Sequence, residues 1–156
     1  MKRWLGLDLG DKRIGVALSD PLGITAQPLK VISSKGPIPD AIAVGELVVE
    51  YGVTQVVVGL PLNMDGTDSE RTRKVRSLAS KLSSRLGVPV VLVDERLTSW
   101  QAEEDMKGIG VKRKNIKKNV DQVAAALILR SALEGAPCLP VSGKPDDALN
   151  MDGAHG

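Results

Sequence analysis

The chain has 156 residues, 42% of them hydrophobic, and its 21 Lys and Arg against 19 Asp and Glu give a formal net charge of +2. This length predicts one domain with its own core, and such a small net charge says little about partners. The single cysteine, Cys138, excludes a disulfide framework and a cysteine metal cluster. The single histidine, His155, is the penultimate residue, which argues against histidine catalysis and against a histidine metal site.

The composition also bears on location and on base recognition. Residues 1–4 lack the apolar stretch of a signal peptide, and no run reaches the roughly 18 apolar residues of a membrane span. We therefore expect a soluble cytoplasmic protein with no membrane partner. With no Phe, one Tyr and two Trp, the chain is poorly equipped to stack single-stranded bases.

The chain opens with two predicted strands, 3–9 and 13–19, joined by a short turn at Gly10. Asp8 is an isolated carboxylate in the otherwise apolar or glycine-containing first strand. Because an ionised carboxylate is costly to bury, such a residue is normally protonated, paired or bound to a metal. A third strand is predicted within 25–33, where Pro28 suits an edge strand or a bulge.

The middle of the chain alternates helices and strands. A helix is predicted over about 40–51, with Asp40 as its cap and Gly52 at its end, followed by a short buried strand over 55–60. The residues 67–70 (Thr-Asp-Ser-Glu) fit a capping box that opens a second helix, closed by Gly87. Another short apolar strand then spans 88–93.

Two helices and a tail are predicted in the last third of the chain. A second capping box at 98–101 opens a short helix that ends near 107, and Asn119 caps a final helix over 120–134 that is apolar nearly all round. Residues 136–156 are rich in Pro, Gly and Asp without periodicity, so we expect a disordered tail after a domain that spans 1–135.

The order of these elements predicts the fold class. Three strands, joined as an antiparallel meander, precede two strand–helix units whose strands should be parallel. We expect a five-stranded mixed sheet flanked by helices, that is, an α/β fold.

Acidic residues fall where three of the predicted elements begin or end. Asp8 lies at the end of the first strand, Asp94 and Glu95 follow the last strand, and Asp121 lies in the first turn of the final helix. Because strand ends of an open sheet meet at one edge, these acids could converge there around a divalent cation. Each also has a simpler explanation: a hydrogen-bonded turn for Asp8, pairing of Asp94 or Glu95 with Arg96, and a helix-dipole contact for Asp121.

Basic residues cluster directly before the final helix. Six Lys or Arg lie within residues 107–118, and residues 108–118 contain no acid. They form either a solvated loop or a clamp on a phosphate backbone, and the residues predicted for the clamp are Lys112, Arg113, Lys114, Lys117 and Lys118. A second candidate patch for phosphates lies on the capped helix, although such residues more often form a solvated helix face: Arg71, Arg73, Lys74 and Arg76.

Four segments together resemble the YqgF (RuvX) family of nucleases, which have a ribonuclease H-like, Holliday-junction-resolvase-like fold. In order, and covering nearly all of 4–135, the segments are Gly6-Leu7-Asp8-Leu9-Gly10 with Arg13-Ile14-Gly15-Val16-Ala17, then Val58-Gly59-Leu60-Pro61-Leu62-Asn63-Met64-Asp65-Gly66, then Asp94-Glu95-Arg96-Leu97-Thr98-Ser99, and Asp121-Gln122-Val123-Ala124-Ala125-Ala126-Leu127-Ile128-Leu129.

The resemblance implies a metal-dependent nuclease in which Asp8, Glu95 and Asp121 are catalytic and bind Mg²⁺ or Mn²⁺. Related resolvases carry an acid after the fourth strand, where this chain has Gly59-Leu60-Pro61, so the ligand is expected to have moved to Glu95. Asp94 and Asp65 remain alternatives. Arg13 and Arg96 are predicted to orient the acids and to contact nucleic acid.

The resemblance further implies maturation of the 5′ end of pre-16S rRNA, with precursor rRNA or ribosomal precursor particles as partners. The alternative activity within the family is resolution of Holliday junctions in branched DNA. The alternative to an enzyme is a non-catalytic nucleic-acid-binding module. The opening Asp8-Leu9-Gly10 also resembles the phosphate-contacting start of actin-like and sugar-kinase folds, but those need two lobes. The sequence leaves open whether the protein is a monomer or a homodimer.

Overall fold

The computed structural model describes residues 2–97 and 120–141. The strands are Trp4–Leu9 (β1), Arg13–Ser19 (β2), Ala26–Ser33 (β3), Gln55–Leu60 (β4), Val90–Asp94 (β5) and Leu139–Pro140 (β6). The helices are Pro37–Tyr51 (α1), Glu70–Arg85 (α2) and Val120–Leu133 (α3), and a 3-10 turn spans Glu95–Leu97. None of the helices in the described part of the chain has the length and hydropathy needed to cross a bilayer.

All six strands form one sheet in the order β3-β2-β1-β4-β5-β6. The predicted mixed sheet is confirmed, because β1, β2 and β3 pair antiparallel while β4 is parallel to both β1 and β5. As predicted, β3 lies at an edge, and the pairing of β2 with it shifts register between Val16 and Ala17, where Pro28 lies opposite.

The predicted strand count of five is wrong by one. Residues Leu139 and Pro140 pair antiparallel with β5, and the Val141 amide donates to the Val90 carbonyl. A two-residue strand that contains a proline has no alternation from which it could be predicted. The rest of the predicted tail, 142–156, lies outside the described residues, and the domain limit at 135 stays a prediction.

The alternation of side chains along β1 separates two cores. Leu5, Leu7 and Leu9 pack on one face of the sheet with buried residues of α1 and α2. Gly6 and Asp8 belong to the other face, where the buried side chains of α3 form a second core with Val57, Val91 and Val93. The prediction that the final helix is buried is confirmed, and Ile128 and Leu129 are almost completely inaccessible.

Two predicted helix starts differ from the structure. The first helix begins at Pro37 with Gly36 as its N-cap, because proline suits the first helical position. Asp40 is buried in the first turn, where its carboxylate accepts hydrogen bonds from Ser34 Oγ (2.6 Å) and the Lys35 amide (2.8 Å). In α2 the cap is Ser69, and its partner in the capping box is Thr72.

The predicted second capping box, the short helix to 107, the basic segment and the Asn119 cap all lie outside the described residues.

Candidate active site

Asp8 lies near the carboxyl end of β1, between two glycines on the neighbouring strands. It pairs with Gly15 of β2, and Gly59 of β4 comes one residue after Val58, the partner of Leu7. The Asp8 side chain is only 16% exposed. Because neither neighbour carries a side chain, other groups can approach this carboxylate closely along the sheet.

The Glu95 side chain lies against Gly59 of β4, where a larger residue would have its own side chain. A Cβ atom on Gly59 would lie 2.7 Å from Oε1 of Glu95 and 2.9 Å from its Cγ. The Glu95 and Asp8 carboxyl groups share a hydrogen bond. The 3-10 turn after β5 thus directs its first residue across β4 towards β1.

The two carboxyl groups hold their protons more tightly than exposed acids do. Burial, followed by the charge of Asp8, raises the pKa of Glu95 to about 7. Burial also raises the pKa of Asp8, against the opposing effect of the Arg71 charge. When both buried acids are ionised, their negative charge needs a compensating cation, and carboxylate oxygens are the ligands that Mg²⁺ and Mn²⁺ prefer. The donor set therefore fits such an ion.

The two alternatives to Glu95 are engaged elsewhere. Asp94 accepts hydrogen bonds from Nε and Nη2 of Arg96 (2.7 Å from Nη2 to Oδ2), and these bonds lower its pKa. Asp65 accepts hydrogen bonds from the side chain and amide of Thr67, which lower its pKa in the same way. Of the three candidates, only Glu95 contacts Asp8 in the structure.

Asp121 approaches the pair from the opposite side of Asp8. Its backbone carbonyl lies against Gly15, so a side chain there would collide with α3. Its charge raises the pKa of Asp8, while its Oδ2 lies 3.0 Å from Nε of Arg13. Within residues 2–97 and 120–141, no three His, Cys, Asp or Glu side chains form a ready-made metal cluster.

The predicted basic residues fall into three groups. Arg13 pairs with Asp121, and Arg96 binds Asp94 and donates to the carbonyls of Asn63 (3.5 Å) and Met64 (3.0 Å). Arg96 thus ties the β4–α2 loop to the end of β5. The third group, Lys112, Arg113, Lys114, Lys117 and Lys118, lies outside the described residues.

The sequence left Arg71 between a candidate phosphate patch and a solvated helix face, and in the structure it faces the acid pair. Its Nη2 lies 3.8 Å from Oδ1 of Asp8. One feature of the sequence could have placed Arg71 near the acids. Arg71 lies in the first turn of the helix that follows β4, and such a helix begins at the carboxyl edge of the sheet.

The chain is similar in sequence to a known protein family and to named relatives. The family model RuvX, described as Holliday junction resolvase, matches residues 2–135. A protein of Pelotomaculum thermopropionicum named "Putative pre-16S rRNA nuclease" is 47% identical over 146 residues, which cover 91% of this chain and 94% of that protein. A protein of Lachnospira eligens with the same name is also 47% identical, over 85% of this chain and 96% of its own length.

Solved structures share the fold at low sequence identity. RuvC of T. thermophilus, solved in complex with a Holliday junction substrate, superposes with a TM-score of 0.61 at 18% identity, over 90% of this chain and 99% of its own. The fowlpox virus resolvase, solved with Holliday junction DNA, gives a TM-score of 0.53 at 13% identity, over 85% and 97% of the two chains. The predicted resolvase-like fold is therefore confirmed.

Proposed function

The chain belongs to the RuvX family, and on that basis we propose that it is a metal-dependent nuclease that hydrolyses phosphodiester bonds in structured nucleic acid. The observation that carries the proposal is the Asp8–Glu95 carboxyl pair, which shares a hydrogen bond at the carboxyl edge of the sheet. Burial of both groups makes a divalent cation a favourable replacement for their shared proton.

We assign Asp8 and Glu95 as the residues that would hold the ion, with Asp121 as the third acid. When bound, Mg²⁺ or Mn²⁺ supplies an activated water and stabilises the leaving oxygen. The Arg13 contact orients Asp121, and the Arg96–Asp94 contact keeps Asp94 away from the pair. Lys112, Arg113, Lys114, Lys117 and Lys118 are proposed to bind backbone phosphates, since they immediately precede α3 in the sequence.

The substrate that we propose is the 5′ end of pre-16S rRNA, in free form or in ribosomal precursor particles in the cytoplasm. It is supported by the name of two relatives that are 47% identical over at least 85% of this chain. The second candidate is a branched DNA junction, which is favoured by the description of the matching family model. A two-fold junction would suit a homodimer, whereas cleavage of an RNA end needs only a monomer.

A cleavage assay on matched substrates tests the proposal. End-labelled single strands, duplexes, a four-way DNA junction and a pre-16S 5′ leader would be incubated with Mg²⁺, Mn²⁺ or chelator. We expect metal-dependent cutting of the leader that is lost in Asp8→Asn. Preferred cutting of the junction would select the second candidate. Salt-sensitive binding without cutting of any substrate would instead indicate a binding module.

A further inference from the structure

Four basic residues lie on the first two turns of α2, and three of them are held by nearby acceptors. Lys74 Nζ lies 2.7 Å from Oδ1 of Asp11. Arg76 Nε lies 2.8 Å from Oδ2 of Asp68, and Arg73 Nη1 lies 3.5 Å from the Asp68 carbonyl oxygen. These contacts explain their positions as parts of an ordinary solvated helix.

Arg71 differs from its three neighbours. Its side chain is 54% exposed, and its closest acidic partner is Asp8, at 3.8 Å from Nη2 to Oδ1. This distance is too long for a hydrogen bond. Within the described part of the chain, Arg71 is therefore attracted by charge while its guanidinium N–H donors make no hydrogen bond to a side chain or carbonyl.

The acids around Arg71 explain why it remains there. Its charge acts on Asp8 and Glu95 at the carboxyl edge and on Asp11 in the β1–β2 turn. A cation that offsets buried carboxylates without hydrogen-bonding them is readily displaced when a second cation takes over that role. A divalent ion on Asp8 and Glu95 would repel the guanidinium and turn its donors outward, towards solvent at the same edge.

We propose that Arg71 is a phosphate-binding residue of this site, whose guanidinium is held by Asp8 in the metal-free protein and becomes available to a nucleic-acid phosphate once Asp8 binds a divalent ion. A planar guanidinium can donate two parallel hydrogen bonds to phosphate oxygens, which Lys cannot do. The proposal relies on the proposed function only for placing nucleic acid at this edge, and it does not require that the nucleic acid is cleaved.

Equilibrium binding tests the proposal separately from catalysis. Fluorescence anisotropy would follow a labelled pre-16S leader RNA and a four-way DNA junction with Ca²⁺ or with EDTA, and a gel would check that each probe stays intact. The variants are Arg71→Ala, Arg71→Lys and, as the matched control on the same helix, Arg73→Ala. Thermal unfolding would confirm that each variant folds.

With Ca²⁺, we expect Arg71→Ala to weaken binding by about tenfold or more and to reduce the salt slope by about one. Arg71→Lys should keep the salt slope while losing part of the affinity, and Arg73→Ala should stay within about twofold of the unmodified protein. Equal affinities for Arg71→Ala and Arg73→Ala would overturn the proposal.

A double-mutant cycle in EDTA tests the release of Arg71 by Asp8. Asp8→Asn should strengthen metal-free binding by about fivefold when Arg71 is present, and by less than about twofold in the Arg71→Ala background. Equal gains in both backgrounds would mean a general charge effect and would overturn the proposed release.

Parallel cleavage assays separate the two proposals. If the unmodified protein cuts no substrate while Arg71→Ala still loses binding, then the proposed nuclease function fails and the phosphate-binding role stands. If the unmodified protein cuts and Arg71→Ala binds as well as it does, then only the role of Arg71 is lost.

Discussion

Glu95 occupies the volume that a side chain at Gly59 would fill. A Cβ on Gly59 would come within 2.7 Å of Glu95 Oε1, and it would also meet Cδ1 of Ile128. Because Gly59 of β4 has no side chain, Glu95 can reach across from the end of β5 to Asp8 on β1. The position of Glu95 in the site therefore depends on the glycine at position 59.

This relationship predicts a specific effect of Gly59→Ala. The new methyl group should push the Glu95 carboxyl group away from Asp8 and lower the cleavage rate by about a hundredfold, because one metal ligand leaves its position. The fold should survive with a loss of about 1–3 kcal/mol in the free energy of unfolding, since the end of Ile128 can shift. Single-turnover cleavage and urea denaturation measure the two effects.

The matched control is Gly87→Ala, at a position after α2 where a Cβ would have nothing within 4 Å. It should leave cleavage unchanged. Comparable cleavage by both glycine variants would show that Glu95 need not lie over Gly59.

Removal of charge should affect cleavage far more at Glu95 than at its neighbour Asp94. Glu95→Gln should reduce kcat/KM by about 10²- to 10³-fold, because a metal ligand is lost. Asp94→Asn should cost less than about tenfold in kcat/KM, and about 1 kcal/mol of stability from the weakened contact with Arg96. Steady-state kinetics with Mn²⁺ and thermal unfolding of both variants distinguish the roles. A larger kinetic loss in Asp94→Asn would assign the ligand to Asp94.

Adjacency explains why the sequence could not choose between these two acids. Asp94 ends β5 and Glu95 follows it, and alternation alone sends them to opposite faces without saying which face carries the site. The choice depends on the Arg96 guanidinium, which binds Asp94 and two carbonyls of the β4–α2 loop. Those carbonyls are more than 30 residues away in sequence, so no local pattern reports the contact.

The fold was more predictable than the site because its signals are local. Alternating residues in β1, the apolar run of β4 and the all-round apolar α3 each define an element within a few residues. For Arg71 the position in the first turn of α2 was a weaker signal, since Arg73 lies in the same turn and a solvated helix face and a phosphate-binding residue have the same sequence pattern. Only its 3.8 Å approach to Asp8 separates it from Arg73.

The contact between α3 and β2 predicts a second intolerant glycine. The Asp121 carbonyl lies directly against Gly15, and a Cβ there would meet main-chain atoms that cannot rotate away as a side chain can. Gly15→Ala should destabilise the fold by more than about 3 kcal/mol, which is a large share of the stability of a small domain. Chemical denaturation measures this loss. A loss as small as that of Gly87→Ala would show that α3 does not pack this closely on β2.

The raised pKa of Glu95 predicts how the metal-free protein responds to pH. Its pKa is about 7 in the folded protein against an ordinary value of 4.5, so the folded state keeps a proton that the unfolded state releases. The resulting stabilisation is complete below about pH 4.5 and disappears as the pH rises through about 7. The raised pKa of Asp8 acts in the same direction. The lowered pKa of Asp94 matters only at more acidic pH, where its contribution is lost on acidification.

Urea denaturation in EDTA between pH 5 and pH 8 measures this effect. The free energy of unfolding should fall by on the order of 2 kcal/mol over that range, after allowance for solvent screening at a partly exposed pair. Glu95→Gln, which keeps a neutral hydrogen-bonding group, should remove most of the slope. Added Mn²⁺ should reverse it, because the ion binds more tightly as the proton leaves. An unchanged slope in Glu95→Gln would show that another group takes up this proton.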